Sequence, residues 1–224
     1  MRSGKTFLLV ASVLAVAMVP LLAGVSGATT TVHWGMNELT GGVMHADAGS
    51  ASGTWEHITG NGASYLFNGV NSRVVVPDDD ALDPGSADFS YSVVVSTDRV
   101  PDAKVGDYDL LRKGLASTKG GDYKVEIFPN SSHTKGRALC AAKGRRGAAT
   151  LVGGQDLVDA VGHTITCKKT ATTFSLWVDG VQIASRSVRL GSIANRAPLT
   201  IGAKAAAGGD WTYGRIGEVT ITVG

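Results

Sequence analysis

From Thr29 onward the chain is a series of short runs in which apolar and polar residues alternate. That period of two is incompatible with helices and calls for strands. The runs are "TVHWGMN", "SYLFNG", "SRVVVP", "FSYSVVVSTD", "YDLLRKG", "DYKVEIF", "RALCAA", "HTITCKK", "TFSLWVDG", "VQIASRSV", "APLTIGA" and "GRIGEVTITV". Glycine, Asn-Gly, Asp-Gly and proline separate them. In "TFSLWVDGVQIAS" the pair Asp179-Gly180 sits between two alternating runs, which predicts a hairpin closed by a type I′ turn. Many short strands with turn signals between them predict an all-β antiparallel fold, a sandwich or a barrel.

Residues 1–28 read as a segment outside this pattern. Arg2 and Lys5 precede the apolar run "FLLVASVLAVAMVPLLAGV", and the small residues Ser26 to Ala28 follow it. This is the layout of a secretory signal peptide; an uncleaved anchor is the alternative. The expected domain is then 29–224, exported, and free of the membrane once the signal is removed. The chain holds 21 basic and 19 acidic residues, and removal of Arg2 and Lys5 leaves 19 of each. A balanced chain has no overall basic field to draw in nucleic acid. Two cysteines, Cys140 and Cys167, both fall on predicted strands. In an exported chain they read as a disulfide, between neighbouring strands or across two sheets, with two buried thiols as the alternative.

Two loops concentrate charge. "VPDDDALDPGSADFS" carries five carboxylates, Asp78, Asp79, Asp80, Asp83 and Asp88. "HTKGRALCAAKGRRGAA" carries Lys135, Arg137, Lys143, Arg145 and Arg146. Both read as solvated connections between apolar strands.

The order of pieces resembles the laminin G-like domains of the concanavalin A-like lectin/glucanase superfamily, in their exported bacterial form. The matching pieces are "VHWGMNELTGGVMHADAGSASG", "YLFNGVNSRVVVPDDDALDPGSADFSYSVVV", "LLRKGLASTKGGDYKVEIF", "GHTITCKKTATTFSLWVDGVQIAS" and "PLTIGAKAAAGGDWTYGRIGEVTI". The resemblance implies a two-sheet antiparallel jelly-roll sandwich. It implies no single function, because such folds bind glycans or proteins, hold structural calcium, or act as glycosidases and lyases.

Catalytic patterns are missing. Related glucanases place carboxylates on one strand as E-x-D-x-E or E-x-D-x-x-E, and none of Glu38, Glu56, Glu126 and Glu218 starts such a motif. The lyase-type Gln-Ile-His string is replaced by Gln182-Ile183-Ala184. No H-E-x-x-H or G-x-S-x-G is present. His163 reads as a strand residue of the scaffold. For calcium, the resemblance implies an early acidic loop near the closing strand, which points to Asp47. The relatives' Ile-Asp-Glu-Val reads "IGEV" here, so Gly217 stands where a carboxylate is expected; Asp47 as a turn residue is the alternative. Trp34 and Trp177 read as packing residues. "GGDWTYG" places Asp210, Trp211 and Tyr213 in a glycine-rich loop, either as ligand-binding groups or with Trp211 closing one end of the fold. The expectation is a secreted, non-catalytic module that binds glycan or an extracellular protein. The rival readings are a polysaccharide hydrolase or lyase, and a structural or adhesive surface protein.

Overall fold

The computed structural model describes Met1 and residues 29–224, so the expected signal peptide lies outside the described residues. Sixteen strands are numbered in chain order: β1 (Thr30–Trp34), β2 (Val43–Met44), β3 (Gly53–Glu56), β4 (Thr59–Gly60), β5 (Tyr65–Asn68), β6 (Arg73–Val76), β7 (Phe89–Ser96) and β8 (Tyr108–Lys113). They continue with β9 (Asp122–Pro129), β10 (Gly136–Lys143), β11 (Ala148–Gly153), β12 (His163–Lys169), β13 (Thr173–Val178), β14 (Val181–Ser187), β15 (Leu199–Ile201) and β16 (Tyr213–Val223). A single 3-10 turn, Asp80–Leu82, is capped by the Asp79 carboxylate, which accepts from the Ala81 N–H.

The strands form two antiparallel sheets of eight. Sheet I has the order β14-β13-β12-β7-β16-β5-β4, with β1 beside β16; sheet II has the order β11-β10-β9-β8-β15-β6-β3-β2. The sandwich reading is therefore correct and the barrel is not formed. Strand β7 shows why: Phe89, Tyr91, Val93 and Val95 are buried, and the residues between them face outward. The aromatic residues of the two sheets meet between the layers. Tyr91 of sheet I and Tyr123 of sheet II have ring centroids 5.0 Å apart, and Phe89 is 5.2 Å from Tyr123. Cys140 of β10 and Cys167 of β12 are disulfide-bonded, so the bridge crosses between the sheets. Trp34 is fully buried, with its indole N–H donated to the Ala51 carbonyl.

Two local expectations are corrected and one is narrowed. Trp177 packs on the sheet rather than in the core: it lies on the outward face of β13, its indole N–H bonded to Ser175 Oγ and the Lys168 ammonium 4.5 Å from its ring centre. Strand β11, "AATLVG", begins within the stretch expected to be a charged connection, at Ala148 and Ala149, and pairs along β10; the sequence pattern assigned no strand there. The acidic loop is not merely solvated. Lys113 points into the sandwich with no exposure, and its ammonium contacts Asp78 at 2.6 Å and Asp83 at 3.2 Å. A buried ammonium needs such partners, and the acidic loop supplies them.

Candidate functional site

The outer face of sheet II departs from simple alternation. In β9 the core positions are Tyr123, Val125 and Ile127, so Asp122, Lys124 and Glu126 point to the opposite face. Glu126 is nevertheless 1% exposed, and all six residues of β8 are buried. The segment after β15 runs on beside β8 where the pairing of those two strands has ended. Gly202 N–H donates to the Leu110 carbonyl, Asp109 N–H donates to the Asp210 carbonyl, and the Thr212 hydroxyl donates to the Asp109 carbonyl. A register shift between Asp109 and Leu111 lets β8 bury both Leu110 and Leu111 there.

Charged groups converge in this place. Arg112 holds Asp109 with two bonds, of 2.7 and 2.9 Å, and reaches Glu126 at 2.7 Å. Lys124 also pairs with Glu126, and Lys204 pairs with Asp210 at 2.7 Å. Asp107, Asp109 and Asp210 each bring one carboxylate oxygen within 4.8 Å of the others. Four carboxylates thus face three cations. Asp107 Oδ1 and Glu126 Oε2 are buried without a partner. Burial, then the charges of Glu126 and Asp210, push the Asp107 carboxyl up to about 6. Burial and the neighbouring Asp109 raise Glu126 as well. Desolvation is the main cause of both shifts, and displaced titrations of this kind occur in functional sites and in structural ion-pair networks alike. A cation placed among Asp107, Asp109 and Asp210 would compete with Arg112 and Lys204, which already hold two of the three.

The loop residues Asp210, Trp211 and Tyr213 do not form one surface. Asp210, at φ +41°, joins the carboxylate cluster. The Trp211 ring lies against Gly208, where a Cβ would sit 2.2 Å from it, and the Arg73 guanidinium is 5.8 Å from the ring centre. Tyr213 opens β16 in sheet I, carries the Arg99 guanidinium 3.7 Å from its ring centre, and lines a different cavity with Leu66, Ser96 and Arg215. Asp47 is held by its own surroundings. Its Oδ2 accepts from the Gly35 N–H at 2.7 Å and lies 3.3 Å from His33 Nδ1, while His33 Nε2 is 2.9 Å from Glu218. Calcium takes six to eight oxygens. Here an imidazole stands between the two carboxylates and Gly217 offers none, so the donor set around Asp47 does not match that ion. His163 is a scaffold residue, bonded to Asp179 at 2.8 Å and to Asp159 at 3.2 Å. Sequence reasoning missed Asp107, Asp109, Arg112 and Glu126. Asp107 and Asp109 in "DYDLLRK" and Asp122, Lys124 and Glu126 in "DYKVEIF" alternate as on a solvated face, whereas Arg112 is out of that period and joins them only through the register shift in β8.

A laminin G domain model described as the concanavalin A-like lectin/glucanases superfamily matches residues 68–222. The chain belongs to this superfamily. Among solved structures, superfamily-like folds include the binding domain of Paraclostridial Mosquitocidal Protein 1, with TM-score 0.64, 16% identity, and coverage of 85% of this chain and 48% of that one. The Trypanosoma rangeli sialidase matches with TM-score 0.60 and 17% identity, over 85% of this chain and 30% of that one. Domain 4 of AbnA, an extracellular arabinanase from Geobacillus stearothermophilus solved with arabinotriose, matches with TM-score 0.50 and 13% identity, over 88% and 82%. This chain thus spans less than half the length of the first two. No curated protein matches the chain.

Proposed function

We propose that this superfamily member is an exported, non-catalytic module that binds glycan on the outer face of sheet II. The observation that carries the reading is one juxtaposition. A half-buried tryptophan, Trp211, lies beside Arg73 at the edge of a carboxylate–guanidinium cluster containing Asp107, Asp109, Arg112 and Asp210. An aromatic ring stacks on the apolar face of a sugar, and the partly exposed Arg73, Asp107 and Asp210, rather than the buried Asp109–Arg112 pair, are the groups placed to read its hydroxyls. The arabinanase domain solved in complex with arabinotriose supports a glycan partner on such a fold. A glycan array followed by titration of the hits tests the reading. Trp211→Ala is expected to weaken binding roughly tenfold or more with an unchanged thermal midpoint. An array without hits, together with capture of a protein partner, would replace glycan by protein as the ligand.

One observation favours an enzyme instead. Asp107 and Glu126 are raised carboxyls on a sheet face, the property a glycosidase uses in its general acid. Reducing-end and unsaturated-product assays on a polysaccharide panel decide between them; turnover lost in Glu126→Gln would overturn the non-catalytic reading. Structural calcium at Asp47 is read by a thermal melt in calcium against chelator. A rise abolished by Asp47→Ala supports the ion, and an unchanged midpoint removes it. Export is read by fractionation and by the mature N-terminus, expected at Thr29.

A further inference from the structure

A second site lies away from this face, where the β10–β11 turn meets the chain that follows β14. Arg145 N–H donates to the Ser192 carbonyl and Arg146 N–H to the Leu190 carbonyl. The backbones approach so closely that a Cβ on Gly144 would sit 2.4 Å from the Leu190 oxygen. Gly191, at φ +75°, lies under the Arg146 side chain, and a Cβ there would meet it at 3.0 Å. The arginine backbones are therefore held rather than free in solvent.

The cavity between these segments has a volume of about 450 Å³ and is lined by Ser86, Arg145, Arg146, Lys169, Arg189 and Ser192. A neighbouring cavity of about 620 Å³ shares Arg145 and Ser192 and adds Lys119 and Arg196. No acidic side chain lines either one. Among the described residues, Lys119, Arg145, Arg146, Arg189 and Arg196 make no ion pair. Lys169 is 2% exposed, and its ammonium donates to the carbonyls of Ser86 at 3.2 Å and Ala87 at 2.6 Å. An ammonium has three donors, so one is left over. Burial pushes this lysine down, and Asp88 partly opposes that. Six cations gathered without an ion-paired carboxylate, Asp88 reaching only Lys169 at longer range, repel one another, and an arriving oxyanion relieves that repulsion.

We propose that this cavity is an oxyanion subsite for an acidic glycan, one bearing carboxylate, sulfate or phosphate groups. The proposal deepens the glycan reading above and rests on it. Guanidinium groups grip such groups in pairs, and the volume falls in the range of about 300–1,000 Å³ usual for small-ligand sites. The lining also includes only Ala171 and Gly191 as apolar residues, so a lipid surface would find nothing to receive insertion.

The test titrates the full domain with matched pairs: oligogalacturonate against its methyl ester, dextran sulfate against dextran, and a glycerol-phosphate polymer against glycerol oligomers. The charged member of at least one pair is expected to bind, its affinity falling with salt, and the three pairs separate carboxylate from sulfate and phosphate. Arg145→Gln/Arg146→Gln is expected to weaken that binding roughly 10- to 100-fold with the thermal midpoint unchanged, and Arg189→Glu gives an independent reading without touching the turn. Neutral glycans bound through Trp211, with no preference for charge, would overturn the subsite and leave the glycan reading standing. Failure of all charged and neutral glycans would overturn both. Arginine-dependent binding of a phosphopeptide alone would overturn the glycan class.

Discussion

Asp179 does two jobs in a turn of two residues. It sits at φ +50° with Gly180 at +79°, the signs a type I′ turn needs, and its carboxylate accepts from Thr164 N–H and pairs with His163. Burial disfavours the His163 cation, but its bonds to Asp179 and Asp159 outweigh this, and the pKa is raised above 6.5. Stability from this cation is therefore full below 6.5 and lost as pH rises through the folded value. The depressed carboxyls act in the opposite sense: their share is present above 3.8 and lost as pH falls through their folded values. His163→Gln is expected to flatten the decline of urea midpoints between about pH 6 and 8. Asp107 has the reverse sign from a normal carboxylate. Its folded value, about 6, lies above the 3.8 reference, so its ionisation weakens the fold as pH rises between them. Asp107→Asn is expected to stabilise the domain at neutral pH by about 1 kcal/mol after allowance for its partial exposure, read by denaturant titration at pH 5 and pH 8. Neither effect is legible in the sequence. The residues are visible there, but which of them meet is set by the fold: Asp159 and Asp179 converge on His163 from either side, and Asp210 reaches Asp107 from about a hundred positions away in the chain.

Strands β7, β12 and β13 alternate as written, because each has one face toward the partner sheet and one toward water. Their existence and the hairpin of β13 and β14 were legible for that reason; the alternation left sandwich and barrel open, and the resemblance to laminin G-like domains implied the sandwich. Strand β8 was misleading because both of its faces are covered. Strand β14 misleads in the opposite way: its alternation predicts a buried face, yet Val181 and Ile183 remain exposed at the sheet edge. The two-residue strands β2 and β4 carry too little pattern to be read at all. The bridge ties β10, next to the edge of sheet II, to β12, third in the order of sheet I, across a sequence separation of 27. Replacing both cysteines with serine is expected to cost about 3 kcal/mol, or about 6–12 °C in thermal midpoint at this domain size. Calorimetry of the variant and of the reduced native protein should agree, since both lose the same constraint on the unfolded chain.

At the scale of the molecule, a balanced charge hides a separated one. Carboxylates dominate one patch on the outer face of sheet II, and unpaired cations gather between the β10–β11 turn and the chain after β14. The basic run announces only part of the second patch: Arg145 and Arg146 belong to it, but Lys169 and Arg189 come from two other places in the chain. The pairing of β1 with β16 has a different consequence. Thr30 lies opposite Val223, and a Cβ on Gly224 would come within 2.8 Å of Thr29. In space the described chain is nearly a closed ring with a nick beside β16. A permutant that seals the nick with a short glycine linker and opens instead at the exposed Asp179-Gly180 turn should fold to the same sandwich, with circular dichroism and thermal midpoint as the check. Moving the nick would leave both charged patches intact, so ligands recognised by either should be recognised by the permutant as well.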